Sequence, residues 1–151
     1  KLEPGVPVSS DRFAMVEALG QAGIFSGILL MPVLPWLEDS EENILAIVRR
    51  AHEAGARFIY AAFGMTLRGN QRDWYYARLE QLFPGQGLAD RYRRRYGYQY
   101  ECRSPAAAHL WKIFAEECQR YKILYQMKDI ISAYQKKYQM TQLRLFDMIE
   151  P

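Results

Sequence analysis

A chain of 151 residues, half of them apolar, can bury one sizeable core and is too apolar to be disordered. Its formal charge of +3 is too small to argue for a nucleic-acid partner by itself, and no stretch approaches the roughly 20 apolar residues of a membrane span. The chain begins at Lys1 without a charged-then-apolar leader, so a cytoplasmic protein, or a fragment of one, is expected.

Ser9 or Ser10 can cap a helix starting at Asp11, with Phe13, Val16 and Leu19 recurring at helical spacing until Gly23. Residues 24–34 then read as a strand. Their run is continuously apolar rather than alternating, as a parallel strand covered on both faces requires. Asp39 or Ser40 caps the next helix, Glu41 and Glu42 sit at its positive end, Ile44, Ile47, Val48 and Ala51 face inward, and Gly55 ends it. Residues 57–63 form the second strand of a βαβ unit with a right-handed crossover. Two parallel strands do not make a stable sheet, so further strands are expected upstream of Lys1.

From Gln71 onward the chain turns helical: residues 72–83, closed by Pro84 and Gly85, then residues 88–96. Ser104 and Pro105 open a longer helix through Leu110, Trp111, Phe114, Cys118 and Tyr121. A last helix spans about residues 127–138, with Ile130, Ile131, Tyr134 and Tyr138 as its inner face. This divides the chain into an α/β part at 1–69, a helical extension at 70–139 and a tail at 140–151. The apolar neighbours Phe114 and Ala115 place Cys118 in a core, and no disulfide to Cys102 is expected.

Ligands of parallel α/β folds sit at the carboxyl ends of the strands, which brings together residues 3–5, 31–36 and 64–68. The plain alternative is that Pro32 and Pro35 shape a turn and Arg68 is a surface cation. Arg91, Arg93, Arg94, Arg95 and Arg103 alternate with Tyr92, Tyr96, Tyr98 and Tyr100. That pattern offers cations for phosphates and flat faces for bases, with Arg93, Arg94, Arg95 and Tyr98 as candidate contacts. It equally fits a solvated helix face whose tyrosines pack inward. His52 and His109 each stand without a neighbour at metal-ligand spacing.

Longer stretches carry a resemblance. Leu-Glu-Pro-Gly-Val-Pro at 2–7, Gly-Ile-Leu-Leu-Met-Pro-Val-Leu-Pro at 27–35, Arg-Phe-Ile-Tyr-Ala-Ala-Phe-Gly-Met-Thr-Leu-Arg at 57–68 and Arg-Tyr-Gly-Tyr-Gln-Tyr-Glu-Cys-Arg-Ser-Pro at 95–105 are similar to the second half of a radical S-adenosylmethionine (radical SAM) barrel. The branch they resemble is that of spore photoproduct lyase and the DNA repair photolyases. The resemblance implies the carboxyl-terminal part of a (βα)6 partial TIM barrel, whose fifth and sixth strands are the two read above. It implies a SAM pocket shared with a missing amino-terminal half, with Glu3 near ribose or amino groups, the Met31 and Pro32 backbone against adenine, Gly64 and Met65 in the same wall, and Arg68 for the SAM carboxylate or a substrate phosphate. Lyase chemistry on DNA would follow.

Such enzymes hold a four-iron four-sulfur cluster through a C-x3-C-x2-C loop, and Cys102 and Cys118 alone cannot replace it. The family's radical-site cysteine lies in the amino-terminal half, so Cys102 reads as a small packed residue. Gln-Leu-Arg-Leu-Phe at 142–146 is similar to the peptide by which bacterial enzymes bind the DNA sliding clamp, with Gln142, Leu143, Leu145 and Phe146 as its anchors. An amphipathic tail folded onto its own core is the alternative.

Overall fold

The computed structural model of the chain describes residue 2 and residues 4–136. It is a mixed α/β structure in which six helices surround two small sheets among the described residues.

Helix α1 (Ser9–Gln21) begins at Ser9 rather than Asp11, since Val8 is its N-cap and neither serine caps it through its side chain. Strand β1 (Gly27–Leu30) is much shorter than the apolar run that contains it. Residues 31–34 belong to the loop that follows, because prolines at 32 and 35 cannot extend a ladder. Helix α2 (Glu41–Glu53) starts as expected: the Ser40 hydroxyl accepts from the Asn43 amide at 3.2 Å, and Ile44, Val48 and Ala51 are buried. Strand β2 (Phe58–Ala61) runs parallel to β1, pairing Ile28 with Ile59 and Leu29 with Tyr60.

One face of this pair is covered and the other is not. Ile59 and Ala61 join a core with Val33, Ile44, Val48, Leu110, Phe114 and Cys118, built by α2 and by helix α5 (Ala107–Arg120). Leu29, on the opposite face beside Tyr60, is 65% exposed. The expectation of a strand covered on both faces therefore fails within the described residues. On its far side β2 bridges in parallel to Leu124, whose amide and carbonyl bond Arg57 and Ile59. No described strand pairs with the outer edge of β1.

A second sheet was not legible as one. Strand β3 (Gly64–Thr66) pairs antiparallel with β4 (Glu101–Arg103), joining residues some forty positions apart in a stretch read as loop and helix. Gly64 is needed there. A Cβ at this position would lie 2.8 Å from both the Arg103 Cα and the Cys102 carbonyl oxygen. Helices α3 (Gly69–Leu82) and α4 (Leu88–Tyr96), which connect these two strands, pack on them through Tyr75, Tyr76, Leu79, Tyr92, Tyr96 and buried Cys102, a second core distinct from the first. Because α5 packs on the β1–β2 sheet, the first core draws on both sides of residue 70. Helix α6 (Met127–Lys136) buries Ile130 and leaves Ile131 and Tyr134 at the surface, so its inner face is narrower than the sequence suggests.

An aromatic group ties the loop after β1 to the second core. Trp36, in the loop after β1, sets its ring edge-on to Tyr92 at 4.9 Å and 5.6 Å from Tyr96. The Tyr75 hydroxyl donates to that of Tyr92 at 3.0 Å, and Tyr92 donates in turn to the Pro35 carbonyl at 2.9 Å. Tyr92→Phe should cost about 1–3 kcal/mol, since it strands a buried carbonyl and a buried hydroxyl; urea unfolding of the two proteins measures it.

Burial pushes the pKa of these phenols up, Tyr75 to about 12 and Tyr92 further in the same direction. Their folded values lie above the unfolded value, so the stabilisation is complete below pH 10 and is lost as pH climbs from 10 through 12. The unfolding free energy should fall there by about 1.4 kcal/mol per pH unit for each phenol still protonated in the fold, and the urea midpoint with it. A midpoint flat across that window would mean the ring cluster is solvated.

Candidate functional site

The loops leaving the carboxyl ends of β1 and β2 converge. The Val33 amide donates to the Gly64 carbonyl at 3.1 Å, which ties residues 31–36 to the start of β3. Met31 and Pro32 lie exposed at this mouth, Gly64 and Met65 are half-buried beside it, and Leu2 packs on the same cluster as Met65 and Trp36. Residues 31–36 and the start of β3 meet, with Leu2 on the same cluster; Glu3 is outside the described residues, and Pro4 and Gly5 are exposed. Gly64 serves the close approach of β4 rather than a ligand. Pro35 is fully buried, so it shapes the loop and does not line an opening.

Trp36 holds a left-handed backbone (φ 62°), a conformation that costs a bulky residue about 1–3 kcal/mol unless its surroundings hold it there. Three contacts do so. Its amide donates to the Asp39 carboxylate at 2.5 Å, the Arg91 guanidinium lies 4.5 Å from its ring centre, and Tyr92 and Tyr96 close its sides. The other Asp39 oxygen accepts from Ser104 at 2.6 Å, and Ser104 in turn accepts from the Ala106 amide at 3.1 Å. Asp39, read as a cap, is thus the brace between the β1 loop and the entry to α5; Ser40 caps α2.

Arg68 is the N-cap of α3 and is not a free surface cation, since it bonds the Tyr100 hydroxyl. The arginine and tyrosine segment splits in two. On α4 the tyrosines at 92 and 96 are buried and the arginines face out, as the solvated-face alternative has it. Arg93 is held by Glu80 and Asp90, each at 2.9 Å, and lies over the Tyr76 ring. Arg94 and Arg95 are exposed, Arg95 at 6.0 Å from the Tyr96 ring centre.

Beyond α4 the chain turns at Gly97, and Tyr98 stands 97% exposed. Its exposure is enforced from beneath. Arg72, buried on α3, donates to the carbonyls of Gly97 at 2.7 Å and Gln99 at 2.5 Å, on either side of Tyr98. It also reaches the Leu67 carbonyl at 3.1 Å and the Tyr76 hydroxyl at 3.3 Å. A buried guanidinium bonded to carbonyls rather than to a carboxylate is a clamp on loop geometry. The sequence signal for it was faint: Arg72 and Tyr76 stand four apart, one turn of a helix.

Both thiols are buried, in different cores, and burial pushes their pKa up, that of Cys118 to about 12. Protonated thiols so placed do not fit a cluster, and among the described residues no three His, Cys, Asp or Glu side chains gather as a metal site. His52 stacks on Tyr121, and His109 meets Glu41 at 2.8 Å across α5 and α2. No helix of the described residues is long and apolar enough to cross a membrane. Residues 142–146 lie outside the described part.

No protein-family model and no solved structure matches the chain. Over 95 residues, 63% of its length, it is 35% identical to uncharacterized proteins of Mycobacterium bovis and of two strains of Mycobacterium tuberculosis. The matched segment is 27% of each relative, so the chain spans about a quarter of the proteins it resembles.

Replacing Arg72 with methionine should cost about 3 kcal/mol, because it leaves three carbonyls without their charged donor. Thermal unfolding measures the loss. Quenching of Tyr98 fluorescence is the wrong probe amid so many tyrosines, whereas proteolysis between Gly97 and Gln99 should accelerate and report the loosened tip directly.

Proposed function

We propose that this chain is the carboxyl-terminal part of a radical SAM enzyme resembling the spore photoproduct lyases and DNA repair photolyases, in which β1 and β2 are late strands of a (βα)6 partial TIM barrel. One observation supports this above others: a parallel strand pair with helices on one face, a bare apolar face carrying Leu29, and an unpaired edge at β1 among the described residues. In a barrel the helix-covered face is the outside, the bare face turns to the lumen, and the open edge takes the preceding strand.

Under this reading the amino-terminal half supplies the four-iron four-sulfur cluster, whose ligands this chain lacks. Held by that half and given one electron from an external reductant, cluster and SAM would supply hydrogen-atom abstraction chemistry; a damaged DNA base is the substrate class the resemblance suggests. The chain's own residues bind and orient. Met31, Pro32 and Met65 would line one wall of the pocket, Met31 and Met65 giving soft apolar surface for a flat base, while Glu3, outside the described residues, is assigned there by the resemblance alone. Arg68 offers a guanidinium to a carboxylate or phosphate.

The polypeptide encoded together with its upstream sequence should contain a C-x3-C-x2-C loop. After reconstitution with iron and sulfide without oxygen, it should release 5′-deoxyadenosine from SAM under reduction. The 151-residue chain by itself should release none. Cleavage by the short chain, or none by the long one, contradicts the assignment.

The clamped tip favours a nucleic-acid contact as a second reading. A fully exposed tyrosine held by a buried arginine, with Arg94 and Arg95 nearby in sequence, provides a stacking face beside cations. Arg94→Ala and Arg95→Ala should each flatten the salt dependence of DNA binding by about one unit, and Arg93→Ala should change it least because Arg93 is already paired. An unchanged slope returns α4 to a solvated face. Recruitment to the bacterial sliding clamp through residues 142–146 is a separate proposal that a peptide-binding measurement tests.

A further inference from the structure

The fork between Arg68 and Tyr100 holds chemistry that barrel completion does not require. Arg68 directs two donors at a single phenol oxygen, Nε at 3.1 Å and Nη2 at 2.8 Å. Tyr100 lies at the protein surface on the rung where its carbonyl accepts from the Leu67 amide, so its backbone is fixed while its ring stays open to ligands.

A phenol oxygen accepts through its lone pairs and donates through one hydrogen. Here the accepting side is turned toward a guanidinium. The hydroxyl hydrogen must therefore point away from Arg68, outward. A neutral Tyr100 thus presents an O–H donor beside a fixed cation, and Nη1 remains on the other edge of the guanidinium. A donor and a cation side by side suit an oxygen of a carboxylate or phosphate.

The same contacts make the proton easy to lose. Arg68, and after it Thr66, hold the Tyr100 phenol below its ordinary ionisation, and Glu101 is the charged neighbour that opposes them. An ionised phenol would repel an oxyanion and keep the guanidinium for itself.

We propose that Tyr100 and Arg68 together form a proton-linked oxyanion site, in which a phosphate or carboxylate oxygen accepts the Tyr100 hydroxyl hydrogen and pairs with the Arg68 guanidinium. The inference rests on the reading of Arg68 as an anion-binding residue and adds the group that gates it. No covalent bond forms or breaks; the ligand binds the protonated phenol and is released as that proton leaves.

Carbon-13 NMR of the chain with ring-labelled tyrosine tests this, Tyr100→Phe assigning the signal. Inorganic phosphate and acetate are titrated separately at constant ionic strength. A saturable shift of the Tyr100 signal is expected, with affinity falling about ten-fold per pH unit above the Tyr100 midpoint and that midpoint rising when ligand saturates. A response to phosphate alone supports the site with a phosphate group as its ligand, and a response to acetate alone supports it with a carboxylate.

Arg68→Lys, which keeps the charge and loses the fork, should return the midpoint toward that of an ordinary tyrosine and weaken binding. If neither anion shifts the signal, both the site and the reading of Arg68 fail. If anions bind through Arg68 equally well in Tyr100→Phe and without pH dependence, Arg68 stands as an anion-binding residue and the proton-linked site is overturned.

Discussion

A parallel β-pair is stable only when both of its faces are covered, because its side chains emerge on both sides and its ladder is weaker than an antiparallel one. The rest of this structure is organised around meeting half of that requirement. Helices α2 and α5 seal one face with Ile44, Val48, Leu110 and Phe114 over Ile59, and the Leu124 bridge occupies the far side of β2. Leu29 and the outer edge of β1 remain open among the described residues. Gly27 is part of the same economy of space, since a Cβ there would come within 2.6 Å of the Phe58 ring.

The module of β3, β4, α3 and α4 is coupled to this sheet by specific contacts. Trp36 is the central one, forced into a left-handed backbone and boxed by Arg91, Tyr92 and Tyr96, with Asp39 securing its amide. The mouth of the strands and the arginine-bearing helix α4 are therefore mechanically one unit. A ligand that moved the β1 loop would press on α4 directly, through a strained residue and a buried hydroxyl chain from Tyr75 to Pro35. Arg72 extends the unit to the turn between α4 and β4.

What could be read from sequence follows the range of the interactions involved. Helix α2 was legible because its cap, its acidic first turn and its inward residues are all local. The inward tyrosines of α4 and the core position of Cys118 were legible for the same reason. The extent of β1 was misjudged because an apolar run ignores the prolines that end the ladder. Strands β3 and β4 were invisible since three residues are too few to show alternation, and what makes them strands is each other, at distant positions. Arg72 carried almost no signal and Arg68 was read as an anion-binding residue or a surface cation, since only the fold supplies the carbonyls and the phenol that engage them.

The bare sheet face is the feature from which the barrel assignment draws its support, and Leu29 sits at its centre. Leu29→Lys, compared by urea unfolding in the 151-residue chain and in the polypeptide that includes its upstream sequence, tests that assignment most directly. In the short chain the substitution should change stability by no more than about 0.5 kcal/mol, as surface changes do. In the longer protein it should cost about 3 kcal/mol or more, because a lysine would then be buried without a partner. An equally small effect in both would show that nothing upstream covers this face, and the account of the chain as part of a barrel would be wrong.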